Sequence, residues 1–437
     1  MTRVAVIGGG AAGIGAAHRL LGAGVDVLLL ERGSRLGGNC FGVDVPLGKG
    51  ALLRIDAGVS DFNEGTFLAF SRFLEDLGVA RFPIVQDASF MRPDRSLVWR
   101  AARGKMEFRD TPDADALIAE IVRFRRTAAD ALLDPRFARA PASEYLDDQG
   151  YSAEFRRLYF SPRAGGAFPM PNCHPSAYPI RSLAAFWKIH GLIGDGPARR
   201  MCVEGGMHRY CDRFQEWFLE AGGMLHCSTR VVGVARRRRS IEVRVVVGRD
   251  EHAVHRVDQV VFAINPIEVK GVLEEPLEDE ARLLPAFGWQ RARICVHRDE
   301  RLMPADRDTW GSYNFVVPED GIPEVRPTIT FWSNLLAQLP GHVPDVFVSV
   351  NPFVEPDPEK VIAERFFVHP VAGADARGLA SNLGTIQGAD RVFYAWSHLI
   401  EPFVHEQALV SGQMAADALI ARASAGRGRS RRPSRPA

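Results

Sequence analysis

Nowhere in its 437 residues does this chain hold the run of about 18 apolar residues that a membrane-spanning helix needs, so no transmembrane segment is expected. The apolar N-terminus, residues 4–17, is interrupted by glycines and does not read as a secretory signal. Cysteine is scarce. The six present (Cys40, Cys173, Cys202, Cys211, Cys227 and Cys295) form no CxxC pair and no Cys/His cluster at ligand spacing, so neither a metal site nor a disulfide framework is expected. Reduced thiols and a cytoplasmic location follow as the default. Net charge is also nearly lacking, at +1. It is unevenly spread: residues 421–437 hold six Arg and no acid, and removing those six from +1 leaves −5 for the rest. A mildly acidic body gives no reason to expect nucleic acid as a partner.

What the chain does have is apolar surface. Hydrophobic residues at 46% against charged residues at 24% exclude disorder for the body, and the length predicts two or three domains. Residues 3–7 form a short β-rich run, 8–13 a glycine turn, 11–23 a helix-period stretch closed by Gly24, and 25–30 a second strand. That order is a βαβ unit, which requires a parallel sheet and a right-handed crossover. Asn63 is placed to cap a helix whose apolar face is Phe67, Phe70, Leu74 and Leu77. Residues 80–200 read as a separate lobe, with helical segments at 114–133, 142–159 and 180–190.

Alternation then returns. A helix is predicted over 207–221, followed by a hairpin of 224–235 and 240–247, whose four arginines (236 to 239) read as a solvated tip. Residues 257–263 have the pattern of a buried strand that rejoins the first sheet. A second excursion over 280–385 contains strands at 329–332 and 346–350, before a strand at 391–395 and a helix at 407–421. The low-complexity basic tail, 423–437, is expected to be disordered. Its functional alternative is peripheral attraction to anionic lipid, worth about 1 kcal/mol per basic residue near a charged membrane.

Gly8, Gly10 and Gly13 spell GxGxxG directly after a strand and at the opening of a helix, the context that makes the pattern specific for a dinucleotide. The first glycine permits the turn, the second lets backbone amides reach a pyrophosphate, and the third allows close helix–strand packing, with Ala11 and Ala12 between. Glu31, eighteen residues after Gly13 at the end of the second strand, can accept hydrogen bonds from ribose hydroxyls and argues against a 2′-phosphate. The pattern alone does not separate FAD from NAD. Arg32, Arg35 and the glycine pair Gly37-Gly38 ahead of Asn39 shift the balance, because a second close backbone approach suits the longer cofactor.

With this glycine pair the sequence resembles the flavin-containing amine oxidase superfamily, which includes phytoene desaturases and protoporphyrinogen oxidases. The resemblance continues through Ile55-Asp56-Ala57-Gly58-Val59, Phe62-Asn63-Glu64, Gly205-Gly206, residues 229–234 and residues 403–412. It is nearest to a bacterial branch of NAD/FAD-binding oxidoreductases linked with fatty-acid-modifying methyltransferases. The resemblance implies an α/β fold: a Rossmann-type FAD-binding domain (1–78, 200–275 and 386–422) with an inserted α+β substrate domain (79–199 and 276–385). It implies that Val231 holds the adenine edge by its backbone and that Ala57, Gly58, Ala263 and Ala395 also lie against FAD. His405-Glu406-Gln407-Ala408 with Ser411-Gly412 would be the second flavin motif, a helix N-terminus that stabilises negative charge on the ring by about 0.3 to 2 kcal/mol. Two departures stand out: Trp396-Ser397 follows Ala395 where Gly-Glu is usual, and Gln407 replaces a glycine. No cysteine accompanies the second motif, so the FAD is expected to be non-covalent, with Cys40 the thiol nearest it.

A flavin enzyme needs no separate acid/base constellation, since the cofactor takes the hydride. The candidates for an assisting group are His405, Glu406, Asn63 and His190. Only one dinucleotide fingerprint is visible, so electrons are expected to leave to oxygen or another acceptor. The leading expectation is oxidation of an apolar, lipid or fatty-acyl small molecule. Against it stand a double-bond isomerase or amine oxidase on the same fold, and a non-catalytic flavin-binding partner of a lipid-modifying enzyme.

Overall fold

Strand β1 (Arg3–Ile7) has four buried residues in succession, the mark of a strand covered on both faces. The computed structural model describes residues 2–430 apart from positions 49, 110, 112, 171–172, 195–198, 287, 318–327 and 371–380. In it β1 lies at the centre of a five-stranded parallel sheet, between β2 (Asp26–Leu30) and Gln259–Phe262, with Met224–His226 and Val392–Tyr394 outermost. Side chains of a strand alternate between faces. Val4, Val6, Val27 and Leu29 accordingly meet helices, among them Ile14, Ala17 and Leu20 of α1 (Ala11–Gly22). Ala5, Ile7, Leu28 and Leu30 meet the opposite cover, Val234, Ile241, Val243 and Val245 of an antiparallel ribbon. That ribbon is Thr229–Arg236, Ile241–Val247 and Glu251–Val257, so the expected hairpin gains a third strand.

The second helix against α1 is the C-terminal one, His405–Ser430. The two approach through glycine: a Cβ on Gly15 would lie 2.5 Å from the carbonyl oxygen of Leu409, and one on Gly412 would overlap that of Ala12. The helix continues past the expected end near residue 421, because a helix already nucleated by packing propagates at little cost per residue. The rest of the basic tail, 431–437, lies outside the described residues. No helix among the described residues is long and apolar enough to cross a membrane.

The second lobe is more β-rich than expected. Ala88–Met91, Leu97–Ala102 and Lys105–Phe108 from the first excursion join Trp289–His297, Tyr313–Val316, Ile329–Trp332, Phe347–Val350 and Val361–Pro370 from the second in one eight-stranded sheet. The seam is the parallel pair Ala88–Met91 and Tyr313–Val316. Helices Ala114–Thr127 and Ile180–Ile189 contribute Phe124 and Trp187 to the core over this sheet, where Phe90 stacks on Trp99 at 3.9 Å and on Phe315 at 4.8 Å. The predicted helix over 142–159 is broken: Ala142–Asp148 ends near Gly150, which adopts a left-handed φ of 64°, and Ala153–Phe155 with a wide turn at Arg156–Phe160 follows.

Glu278–Leu283, expected in the substrate lobe, buries Leu283 against the nucleotide-lobe core. Its Glu280, fully buried, accepts from Arg236 and from the Tyr394 hydroxyl, both at 2.6 Å. Arg236 is therefore an anchored residue and not part of a solvated tip. A small sheet of Phe62–Asn63, Arg200–Val203 and Arg81–Pro83 ties the crossings between the lobes together.

Candidate cofactor and substrate site

In a parallel sheet, ligands collect at the carboxyl ends of the strands. Here Gly8, Glu31 and Ala263 follow β1, β2 and Gln259–Phe262. Gly8 has φ +105°, and a Cβ on it would stand 2.5 Å from the Ala263 carbonyl oxygen. A Cβ on Gly13 would overlap the Gly8 carbonyl, so this glycine is a packing residue. Gly10 differs: the nearest atom to a Cβ there is Gly38 Cα at 3.8 Å, and the residue lines a cavity. Gly10 is also the N-cap of α1, with no side-chain cap and no acid in the first turn, which leaves the helix amides bare.

Gly37 and Gly38 sit against this turn. Gly37 N–H donates to the Gly9 carbonyl at 2.8 Å, and a Cβ on Gly38 would come 3.1 Å from Gly10 Cα. The Glu31 carboxylate is braced by Gly9 N–H at 2.7 Å and Gly33 N–H at 2.6 Å while it lines the cavity. Ala11, Ala12, Arg32, Asn39, Cys40, Gly58, Val231 and Ala408 line it too. Arg32 is paired with Glu268. Arg35 is exposed and outside the cavity wall, and Ala57 and Ala395 are buried behind it. Asp56 is structural: both carboxylate oxygens accept from Met207 N–H at 2.8 and 2.9 Å, ahead of the helix His208–Glu220.

The four candidates for an assisting group separate. Glu406 is buried and accepts from Ala69 N–H at 2.8 Å and Phe70 N–H at 2.9 Å, so it caps helix α2 (Leu68–Asp76) from a distant part of the chain. Asn63, predicted to cap that helix, instead spends its side chain on Thr66, the Ile189 carbonyl and Arg199 N–H, and is absent from the cavity wall. Neither residue lines the cavity. His405 does line it. Its Nδ1 lies 3.5 Å from Cys40 Sγ, its ring meets Phe70 edge-on at 4.7 Å, and burial pulls its pKa down to about 4. His190 also lines the cavity, with Nδ1 2.8 Å from the Phe186 carbonyl oxygen and a pKa lowered by burial to about 4. Both imidazoles are neutral at neutral pH. Gln407 is buried behind the wall with Oε1 unpartnered.

The cavity has a volume of about 1300 Å³ and runs from the glycine turn into the second lobe. Single-ligand pockets span about 300 to 1,000 Å³, so there is room for a dinucleotide and a substrate. Its second half is aromatic: Trp99, Tyr159, Phe186, Trp187, Phe315 and Phe331. Trp289, Gln290 and residues 365–368, which sequence reasoning missed, form another wall. Their signal was the adjacent Phe366-Phe367, unreadable until the strand pairs with Trp289–His297. Around the wall, Trp289 Nε1, Gln290 Nε2, Trp396 Nε1 and His405 Nε2 are buried without hydrogen-bond partners. Folded proteins leave few buried polar groups unsatisfied. A large heteroatom-rich cofactor would supply partners here, and Trp396, the departure from the usual motif, is among the groups waiting for an acceptor.

A parallel nucleotide fold with a glycine-stripped helix mouth, opening onto an aromatic second lobe, defines a FAD-dependent oxidoreductase. The model of the flavin-containing amine oxidoreductase family matches residues 11–365, and the chain belongs to that family, whose cofactor is FAD. Similar solved structures include cyclohexylamine oxidase from Brevibacterium oxydans IH-35A, at 15% identity and TM-score 0.69 over 97% of this chain and 99% of that one. Putrescine oxidase bound to putrescine matches at 14% and 0.65 over 96% and 99%. A CLA-producing fatty acid isomerase from P. acnes matches at 14% and 0.66 over 96% and 98%. At these identities the likeness is one of fold. No curated protein matches the sequence.

Proposed function

We propose that this protein oxidises an apolar small molecule, of lipid or fatty-acyl type, by hydride transfer to non-covalently bound FAD. The observation that carries the reading is the continuous cavity that joins bare amides to an aromatic-walled lobe. The α1 amides with Gly8, Gly10, Ala11 and Ala12 would hold the pyrophosphate, Glu31 the ribose and the Val231 backbone the adenine edge. Gly58, Ala263, Trp396, His405 and Ala408 would surround the ring end. Bound flavin supplies a hydride acceptor at N5. The chain's part is then to position a C–H bond and exclude water, which apolar walls do. His405, neutral and next to Cys40, is suited to accept or donate one hydrogen bond and not to carry a charge. Glu406 acts as a positioning residue, locking the start of the C-terminal helix to α2.

An amine substrate on this fold is disfavoured by the cavity's charge. The lining acids Glu31, Asp61, Asp87 and Glu268 each already hold a donor, Asp61 accepting from Arg200 and from the Tyr313 hydroxyl. An isomerase differs from an oxidase in one measurable respect. Anaerobic mixing of the purified holoprotein with an unsaturated long-chain substrate should bleach the visible flavin bands; bands that return unchanged while the double bond moves would establish isomerisation instead. Failure of every long-chain compound to perturb the flavin would refute the apolar reading.

A further inference from the structure

Arg163, on the short helix Ser161–Ala167, lines the aromatic half of the cavity. Its guanidinium carbon lies 5.1 Å from the centroid of Tyr159, 5.3 Å from Phe90 and 5.9 Å from Phe315. Its Nε is buried without a hydrogen-bond partner. Burial lowers its pKa, the Tyr159 hydroxyl group raises it and the cation Arg125 lowers it further; no carboxylate is among these influences. Ring faces offset part of the cost of burying a guanidinium but leave its planar fork of N–H donors unused. Arg125, Arg103 and Lys105 line the same half and are solvent-exposed, against one carboxylate there, Asp87, so the opening is net positive. Such a rim draws anions in and repels ammonium groups. Next to it the wall is apolar again, with Trp99, Ile121 and Trp187.

We propose that Arg163 receives the oxyanion head group, a carboxylate or a phosphate, of a long-chain substrate whose apolar part extends along the aromatic walls toward the cofactor. This rests on the reading of the cavity as an apolar substrate site and adds the polarity of the substrate's end. The fork matches an oxyanion in a bidentate pair, the geometry in which Arg binds these groups best.

The test is titration of the FAD-loaded protein with dodecanoate, dodecyl phosphate, dodecanol and dodecylamine, followed by the flavin difference spectrum. The expected result is that one or both anions bind at least ~10-fold tighter than dodecanol, with dodecylamine weakest. Which anion leads identifies the head group. In Arg163→Gln the advantage over dodecanol should fall to roughly 2-fold or less, while Arg163→Lys keeps part of it. Flavin content and melting temperature report whether the variants fold; if Arg163→Gln does not, the wild-type ranking and Arg163→Lys still decide. Dodecanol or dodecylamine binding as tightly as the anions, or an anion preference that survives Arg163→Gln, overturns the head-group inference alone. No binding of any of the four overturns it together with the apolar-substrate reading.

Discussion

The two ends of the cavity are built from different materials. At the nucleotide end the wall is main chain: Gly8, Gly10, Gly37 and Gly38, helix amides, and one carboxylate held by two backbone N–H groups. At the substrate end it is side chain: stacked aromatics, a cation among them, and strands from two excursions of the sequence. A backbone site tolerates almost no substitution, because its shape is the absence of atoms. A side-chain site can be re-cut for a new substrate by changing residues that carry no part of the nucleotide fold. That difference explains how chains of about 15% identity keep one architecture while their substrates, by name, range from amines to fatty acids.

Substitutions can break that contrast or sharpen it. The largest effect is expected at Gly13, where Val would drive a side chain into the Gly8 carbonyl; soluble holoprotein should be lost, as judged by yield and flavin absorbance. Gly10→Val should fold, having space on the cavity side, yet lose FAD affinity by ~100-fold or more on reconstitution. If Gly10→Val binds FAD normally, the nucleotide end is not a backbone site. Next in size is Glu280→Ala, which leaves buried Tyr394 without its acceptor and half-buried Arg236 with the longer contacts to the Glu275 carbonyl and Asp390. Denaturant titration should show a loss of about 3 to 5 kcal/mol.

Smaller effects separate scaffold from chemistry. Glu406→Ala should lower stability by about 0.5 to 2 kcal/mol, the worth of a helix cap, and leave the pH profile of turnover unshifted. A displaced profile would return Glu406 to the chemistry. A further effect needs no substitution and is spread over pH. The neutral buried imidazoles of His190, His297 and His405 have pKa values lowered to about 4, below the ordinary 6.5 of the unfolded chain. The unfolded state therefore binds more protons between those values. Stability should be fully present above pH 6.5 and fall on acidification toward pH 4, by up to about 1.4 kcal/mol per pH unit for each group. Melting temperatures across that window check it; His190→Phe should flatten the slope.

Legibility in the sequence follows the same division. Glycines at fixed spacing between an apolar run and a helix suit little besides a turn that wraps a pyrophosphate, so β1, α1, β2 and Glu31 could be read directly. Glu406 could not. Its proximity in sequence to His405 and Gln407 suggested a flavin role, whereas its partners are the amides of Ala69 and Phe70, more than three hundred residues away. Asn63 stands ahead of a helix-period stretch, the place of a local cap, yet its side chain bonds Thr66 and also reaches the distant Ile189 and Arg199. Arg163 gave no signal at all: an arginine in an Arg-rich lobe is conspicuous only once Phe90, Tyr159 and Phe315 surround it.

By itself the sequence determined the nucleotide fold and that its ligand is a dinucleotide, because a dinucleotide grips main chain, and main-chain freedom is written in individual residues at fixed spacing. The long-range order was decided by tertiary structure: which strands of the two excursions share a sheet, which carboxylate caps which helix, and which cation faces the cavity among aromatic rings. Those outcomes depend on which faces exclude water from one another, a property of pairs of segments that no single segment records.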